Sequence, residues 1–243
     1  MKWIEVSPVS VSAELLDVVD GNKLIAEALV RRGFSDPDEI QAFLNPAFYK
    51  PTSSQEFPNM DKAISILEEA IQQGKLIAVW GDFDVDGQTS TTLLVSALEE
   101  LGANVVFHIP VRANESHGIN IPNLKHIIQA GAEVLLTCDT GISDHEAILY
   151  AREKGLQVVI TDHHDLPPSL PDAEAIINSK MLPAEHPLAT LPGVGVAYKL
   201  IEELFLRADR AEDLDKFLDL VALGIVADVA VLKGDARYLL QRG

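Results

Sequence analysis

The chain predicts an α/β fold: a doubly wound, mainly parallel five-stranded sheet with helices on both faces, preceded by a helical lead-in. Two observations carry that expectation. Short apolar, β-branched runs recur without a polar alternation, as strands buried on both faces require. Segments with helical periodicity separate them, so strand and helix alternate along the chain.

Residues 1–59 are expected to form the helical lead-in and a linker. Leu24, Ile25, Ala28 and Leu29 recur with helical spacing, and Gly33 is placed to end that helix. Asp36-Pro37-Asp38-Glu39 offers an N-cap, a proline at the first helical position and acids in the first turn. The stretch 45–58, rich in Pro and Ser, reads as a linker.

From residue 60 to 243 the alternation begins. An amphipathic helix over 61–73 leads to the strand Leu76-Ile77-Ala78-Val79-Trp80. A helix from Thr91 to Leu101 precedes the strand 105–109, and a helix from Ile121 to Ala130 precedes the strand 134–138. Ser143-Asp144-His145-Glu146 has the form of a capping box opening a helix to Lys154. Val158-Val159-Ile160-Thr161 is the next strand and Ile176-Ile177 marks the fifth. After Pro192 the pattern is helical: 194–206, 212–223 and a last helix near 235–242.

Composition narrows the class. Of 243 residues 47% are hydrophobic and 23% charged, as in ordinary water-soluble domains. No apolar run is long enough to span a bilayer, and Met1-Lys2-Trp3-Ile4-Glu5 lacks a signal-peptide core. The single cysteine, Cys138, excludes an internal disulfide and suits a reducing cytoplasm. A net charge of −18 argues against broad duplex binding, which needs a basic face. It leaves room for a short strand held by metals and a few basic side chains.

The chemistry is read at the strand ends, where open α/β sheets bind ligands. The strand 76–80 runs into Gly81-Asp82-Phe83-Asp84-Val85-Asp86-Gly87, the strand 134–138 into Asp139-Thr140-Gly141, and the strand 158–161 into Asp162-His163-His164-Asp165. Carboxylates and neutral imidazoles are ligands for Mn²⁺ and Mg²⁺. An EF-hand is excluded: counting from Asp82, the twelfth position is Leu93 where a bidentate Glu is needed, and a strand precedes the loop.

These motifs, with Leu191-Pro-Gly-Val-Gly-Val-Ala-Tyr-Lys199 and Leu223-Gly-Ile-Val-Ala-Asp-Val-Ala230, resemble the RecJ-like branch of the DHH-family phosphoesterases from about residue 60 onward. The resemblance implies two divalent cations, Mn²⁺ or Mg²⁺, held by Asp84, Asp86, Asp139, His163 and Asp228, with Asp139 bridging and Asp228 at the start of a helix. It implies that Asp82 acts in the site as a ligand or as a base beside the ligands, and that Asp162 and His164 orient ligands or contact substrate in preference to binding metal directly. A bridging hydroxide would attack phosphorus in line, giving 5′-to-3′ hydrolysis of single-stranded DNA.

Pro110-Val111-Arg112-Ala113-Asn114-Glu115-Ser116-His117-Gly118 is similar to a family segment in which Ser116 is usually Gly and His117 usually Tyr. Arg112 could grip a phosphate or pair with Glu115, and His117 stands where an aromatic could stack on a base. Gly193 and Gly195 open a turn into a helix whose N–H groups could hold an anion, and they complete the substrate contacts. The relatives continue past the Ala227-Asp228-Val229 segment into a second, substrate-binding domain, which is expected to be missing here. The expected protein is a cytoplasmic monomer that takes single-stranded DNA and works beside single-strand-binding or repair proteins. Two other readings stay open: a family phosphoesterase on oligoribonucleotides, cyclic dinucleotides or pyrophosphate, and a non-catalytic replication scaffold.

Overall fold

The computed structural model describes residues 7–113, 115 and 117–243. The opening Met1–Glu5 stretch and Ser116 lie outside the described residues. The chain divides into two compact units, Met1–Pro51 and Thr52–Gly243.

The first unit holds helices α1 (Ala13–Val18), α2 (Lys23–Arg31) and α3 (Pro37–Leu44). Ser12, Asn22 and Asp36 cap them, each accepting a first-turn N–H through its side chain. Their small core is Leu15, Val19, Ala26, Leu29 and Ile40. The apolar face expected on α2 is turned in part: Leu29 is buried as expected, but Ala26 joins it while Leu24 is 80% exposed.

The second unit begins at Thr52, earlier than the expected change at residue 60, because Ser54 and Phe57 are already buried in it. Helix α4 (Met60–Gln73) ends at Gly74, which adopts φ +66°. Then follow β1 (Leu76–Trp80), α5 (Val85–Glu100), β2 (Asn104–His108), α6 (Ile121–Gln129), β3 (Ala132–Cys138), α7 (His145–Glu153), β4 (Gln157–Asp162) and β5 (Ala175–Asn178). Helices α8 (Gly193–Arg207), α9 (Leu218–Ala227) and α10 (Gly234–Arg242) complete the unit.

The five strands are parallel in the order β2-β1-β3-β4-β5. Side chains alternate across the sheet as the pleat dictates. Ile77 and Val79 face the core formed with α4, α5, α8 and α9, whereas Ala78 and Trp80 face the one formed with α6 and α7. The strand order reverses direction between β1 and β3, and such a switch point opens a crevice at the carboxyl ends of those strands.

Three helix starts differ from expectation, and each difference bears on the site. Helix α5 begins six residues before Thr91, because Asp84 caps it and accepts the Gly87 N–H at 2.9 Å. The capping box at 143–146 does not form: α7 starts after Asp144, whose side chain makes no cap bond. The helix expected over 212–223 is a 3₁₀ segment over Ala211–Phe217 followed by α9, so Asp228 stands at a helix C-terminus, not a start. Among the described residues no helix is long and apolar enough to cross a membrane.

Candidate metal centre

β1, β3 and β4 deliver their motifs to one crevice. Asp82 follows β1, and its Oδ1 accepts the Phe83 N–H at 2.8 Å. A Cβ on Gly87 would lie 2.5 Å from the Asp82 carbonyl oxygen, so only glycine lets the first turn of α5 fold back onto that acid. Asp139 follows β3 in the left-handed region, φ +59°, which turns the chain sharply off the strand end.

Asp86 lies in the first turn of α5, almost fully buried. Its Oδ2 accepts the Gly193 N–H at 2.7 Å and its Oδ1 the Val194 N–H at 2.8 Å. The N-terminus of α8 therefore does hold an anion, but that anion is the protein's own carboxylate. Gly193 and Gly195, expected to contact substrate, have packing tasks instead. The Asp139 side chain lies against the Cα of Gly193, and Leu191 against that of Gly195. Gly224 of α9 likewise faces Asp86, with a hypothetical Cβ 3.0 Å from its Oδ1.

Asp162, the last residue of β4, is saturated. Its Oδ1 accepts the His163 and His164 N–H groups and meets His164 Nδ1 at 2.7 Å, while Oδ2 accepts the Ile142 N–H at 3.0 Å. Burial pushes its carboxyl up, but the His164 hydrogen bond and charge prevail and hold it below the usual range. With Nδ1 so engaged, His164 presents Nε2 outward, the arrangement by which a carboxylate orients an imidazole ligand.

Three overlapping groups could each hold a cation: Asp82, Asp84 and Asp139; Asp86, His163 and Asp228; Asp139, His163 and His164. Within each group the ligand atoms lie within 4.8 Å of one another. All five expected ligand residues are thus brought together, and Asp82 and His164 join them. Asp139 and His163 are each shared by two groups, which suits two neighbouring ions.

Electrostatics points the same way. Burial, then the Asp139 charge, push the Asp86 carboxyl up to about 8. Burial and the Asp84 charge push Asp139 up to about 9. The Asp162 hydrogen bond holds His164 protonated up to about 9. Asp139 Oδ1 is buried without a hydrogen-bond partner among the described residues, although His163 Nε2 stands 3.0 Å away. Two polar atoms that face each other without bonding are placed as two ligands of one ion would be. Asp228 adds a carboxylate at the negative end of the α9 dipole, unfavourable until a cation joins it.

Beside this edge Phe83 carries two side chains. Arg112 lies over its ring at 5.0 Å, and the His117 ring meets it at 4.6 Å. Glu115 is engaged elsewhere, by His108 Nε2 at 2.8 Å and by Asn120 and Asn123 at 2.9 Å. The Arg112–Glu115 pairing therefore gives way to a guanidinium held at the crevice by an aromatic face. Sequence reasoning missed Asp144, whose carboxylate packs against Gly118 and accepts from Thr140 Oγ1 at 3.3 Å. The signal available for it was the glycine at 118.

A doubly wound parallel sheet whose switch point gathers carboxylates and imidazoles defines a protein built to hold cations at its strand ends. The description "DHH family, N-terminal domain" matches residues 76–225, and the chain belongs to that family. It is 38% identical over 223 residues to the single-stranded-DNA-specific exonuclease RecJ of Bacillus subtilis, covering 90% of this chain and 27% of that protein. With the protein of the same description from Thermus thermophilus it shares 32% identity over 245 residues, covering 100% of this chain and 35% of the relative. Among solved structures, exonuclease RecJ bound to manganese superposes with a TM-score of 0.73 at 34% identity, covering 79% of this chain and 49% of that one. RecJ from Thermus thermophilus in complex with Mn²⁺ gives 0.70 at 31%, covering 85% and 31%. The chain spans about a quarter to a third of the length of these two curated relatives.

Proposed function

We propose that the strand-end cluster binds two divalent cations, Mn²⁺ or Mg²⁺, and hydrolyses phosphodiester bonds at the 5′ end of single-stranded DNA. The observation that carries this reading is the sharing of Asp139 and His163 between ligand groups, with a buried Asp139 oxygen left unbonded. In this proposal Asp84, Asp86, Asp139, His163 and Asp228 are ligands, and Asp82 and His164 complete the two coordination spheres. Bound cations would supply Lewis acidity, lowering the pKa of the attacking water and offsetting charge on the phosphoryl oxygens.

The remaining roles fall to the chain itself. Asp162 fixes the His164 tautomer and ties both histidine N–H groups to the end of β4. Gly193 and Val194 hold the Asp86 carboxylate in one orientation while leaving lone pairs on both oxygens. Arg112, steadied on Phe83, meets a backbone phosphate of the entering strand. The relatives described as single-stranded-DNA-specific exonucleases support the choice of substrate. The charge of −18 favours instead the small-substrate reading, in which no long strand need be held.

One experiment separates the readings. Hydrolysis of 5′-labelled single-stranded DNA, a dinucleotide and pyrophosphate is followed with Mn²⁺ and with chelator. Release of labelled mononucleotide from the DNA, abolished by chelator, is expected. Turnover of the dinucleotide or pyrophosphate alone would replace the exonuclease reading, and no turnover of any of them would overturn the catalytic one.

A further inference from the structure

Arg112 stands on no helix or strand. It lies in the segment between β2 and α6, where Val111, Arg112 and Ala113 are all exposed. Its guanidinium rests over the Phe83 ring at 5.0 Å and forms no ion pair among the described residues. An exposed arginine loses much rotamer freedom when it is kept in one place. To aim it at a phosphate, the backbone beneath it must be fixed by something else.

Glu115 supplies that. Its N–H donates to the Val111 carbonyl at 2.9 Å, closing a turn around Arg112. Its carboxylate reaches both elements that bound the segment. Oε2 accepts from His108 Nε2, on the last residue of β2, at 2.8 Å. The same oxygen accepts from Asn120 and Asn123 Nδ2, at the start of α6, at 2.9 Å each. The His108 hydrogen bond holds the Glu115 carboxyl below its usual range, so the acceptor is ionised and each bond is charge-assisted. A carboxylate oxygen only accepts, so His108 Nε2 carries a proton.

The donors are themselves held. Asn120 is the N-cap of α6, its Oδ1 accepting the Asn123 N–H at 2.9 Å. The His108 ring packs on Trp80 at 4.3 Å, and Trp80 is fully buried at the end of β1, two residues before Asp82. One carboxylate therefore ties the Arg112 turn to β2 and α6 directly, and to β1 through His108. Ion pairs near the surface contribute little to stability, so three donors converging on one oxygen are better explained by what they aim.

We propose that Glu115 is a positioning residue, clamping this segment to β2 and α6 so that Arg112 stays over Phe83 and faces the phosphate at the cations. The phosphate in this role rests on the metal-dependent reading above, whereas the clamp is built from bonds within the chain. Glu115 and His108 belong to none of the ligand groups, so the clamp serves substrate affinity and not the chemical step.

The test follows hydrolysis of 5′-phosphorylated single-stranded DNA by the full chain with Mn²⁺. Glu115→Leu is expected to raise KM about tenfold with kcat unchanged, the lower end of what a hydrogen bond to a charged group contributes. Glu115→Gln keeps an acceptor oxygen and should recover most of that loss. Arg112→Ala should raise KM alike, and adding Glu115→Leu to it should change nothing further, because both act through one contact. An unchanged KM in Glu115→Leu, a fall in its kcat instead, or additive effects in the double variant overturn the clamp. A second arm needs neither metal nor turnover. In metal-free protein labelled at arginine, the NMR signal of the Arg112 Nε–H, identified by its loss in Arg112→Lys, should be displaced by the Phe83 ring current. Glu115→Leu should move it to the position of a free arginine, and Glu115→Gln should leave it near the parental one. A signal that Glu115→Leu leaves in place overturns the clamp. Should that variant not fold, Asn123→Ala removes one donor and is read the same way: movement towards the free position supports the clamp and none overturns it. If the parent hydrolyses nothing, the metal-dependent reading fails and this arm alone decides the clamp.

Discussion

Gly193 lies so close to Asp139 that a Cβ on the glycine would sit 2.6 Å from the Asp139 Oδ1. The same residue donates its N–H to Asp86 Oδ2, so one glycine sets the positions of two buried acids 53 residues apart in sequence. At the first turn of a helix alanine is ordinarily as good as glycine or better. Gly193→Ala is nevertheless expected to destabilise the metal-free protein by about 1–3 kcal/mol through overpacking, and to weaken Mn²⁺ binding. Urea unfolding and Mn²⁺ calorimetry measure the two effects. A variant with unchanged Mn²⁺ affinity would show that the Asp139 carboxylate has room to move and that the close approach is incidental.

Removing the buried acid should separate stability from function. Asp139→Asn keeps the shape of the side chain but deletes a carboxylate that burial and Asp84 disfavour. We expect the metal-free variant to melt higher than the parent at pH 8, by roughly 2–4 °C for each kcal/mol relieved. Mn²⁺ should no longer raise its melting temperature, and metal-dependent hydrolysis should be lost. A variant that melts lower than the parent and still responds to Mn²⁺ would contradict both halves of the assignment.

The pH profile follows from the direction of the shifts. Asp86 and Asp139 have folded-state values of about 8 and about 9, above the ordinary 3.8. Between those limits the folded state binds more protons than the unfolded chain, so stability falls as pH rises. His164, raised from 6.5 to about 9, acts in the same direction: its pairing is fully present below 6.5 and is lost as pH passes 9. Metal-free protein should therefore melt progressively lower from pH 5 to pH 9. Mn²⁺ should oppose the trend, because deprotonated ligands bind it and the gain grows with pH. Melting curves with chelator and with Mn²⁺ across that range are the measurement. Parallel profiles in the two conditions would mean that the titrating groups are not the ligands.

The sheet was legible in the sequence because its signals are local: Leu76–Trp80 and Val158–Thr161 are apolar runs that no amphipathic helix would carry. Four of the five proposed ligands, Asp84, Asp86, Asp139 and His163, stand in motifs that follow strands directly, whereas Asp228 lies at the C-terminal end of α9 and is marked in the sequence only by the family resemblance. What escaped depends on partners far along the chain. The start of α5 was set late, since Asp and Gly read as loop until Asp84 caps the helix and Asp86 finds the α8 N–H groups 107 residues away. Asp144 read as part of a helix cap, yet its carboxylate is claimed by Gly118 across the crevice. Of the α2 stripe Leu24, Ile25, Ala28 and Leu29, only Leu29 enters the small core, where packing against α1 and α3 buries it beside Ala26 and leaves Leu24 and Ile25 exposed. Periodicity marks an apolar stripe but does not say which of two overlapping stripes finds a partner.

Asp228 sits next to a strained residue. The Val229 N–H donates to the Val226 carbonyl and the Ala230 N–H to the Ile225 carbonyl, at 3.2 and 3.3 Å. This is the bonding pattern of a Schellman motif, and Val229 occupies the position where glycine usually stands, with φ +56°. The left-handed region costs an L-residue about 1–2 kcal/mol, and branching at Cβ does not reduce that. No burial offsets it, because Val229 is 85% exposed. Val229→Gly should therefore stabilise the metal-free protein by about 1 kcal/mol, less than the full strain because glycine gains freedom in the unfolded chain. If the valine only tolerates this position, Mn²⁺ affinity will be unchanged. If it restrains Asp228, the same substitution will raise stability and lower Mn²⁺ affinity together, by giving the C-terminus of α9 a freer joint. Urea unfolding with chelator and Mn²⁺ calorimetry on one preparation separate the two outcomes. A loss of metal-free stability in Val229→Gly would refute the strain itself.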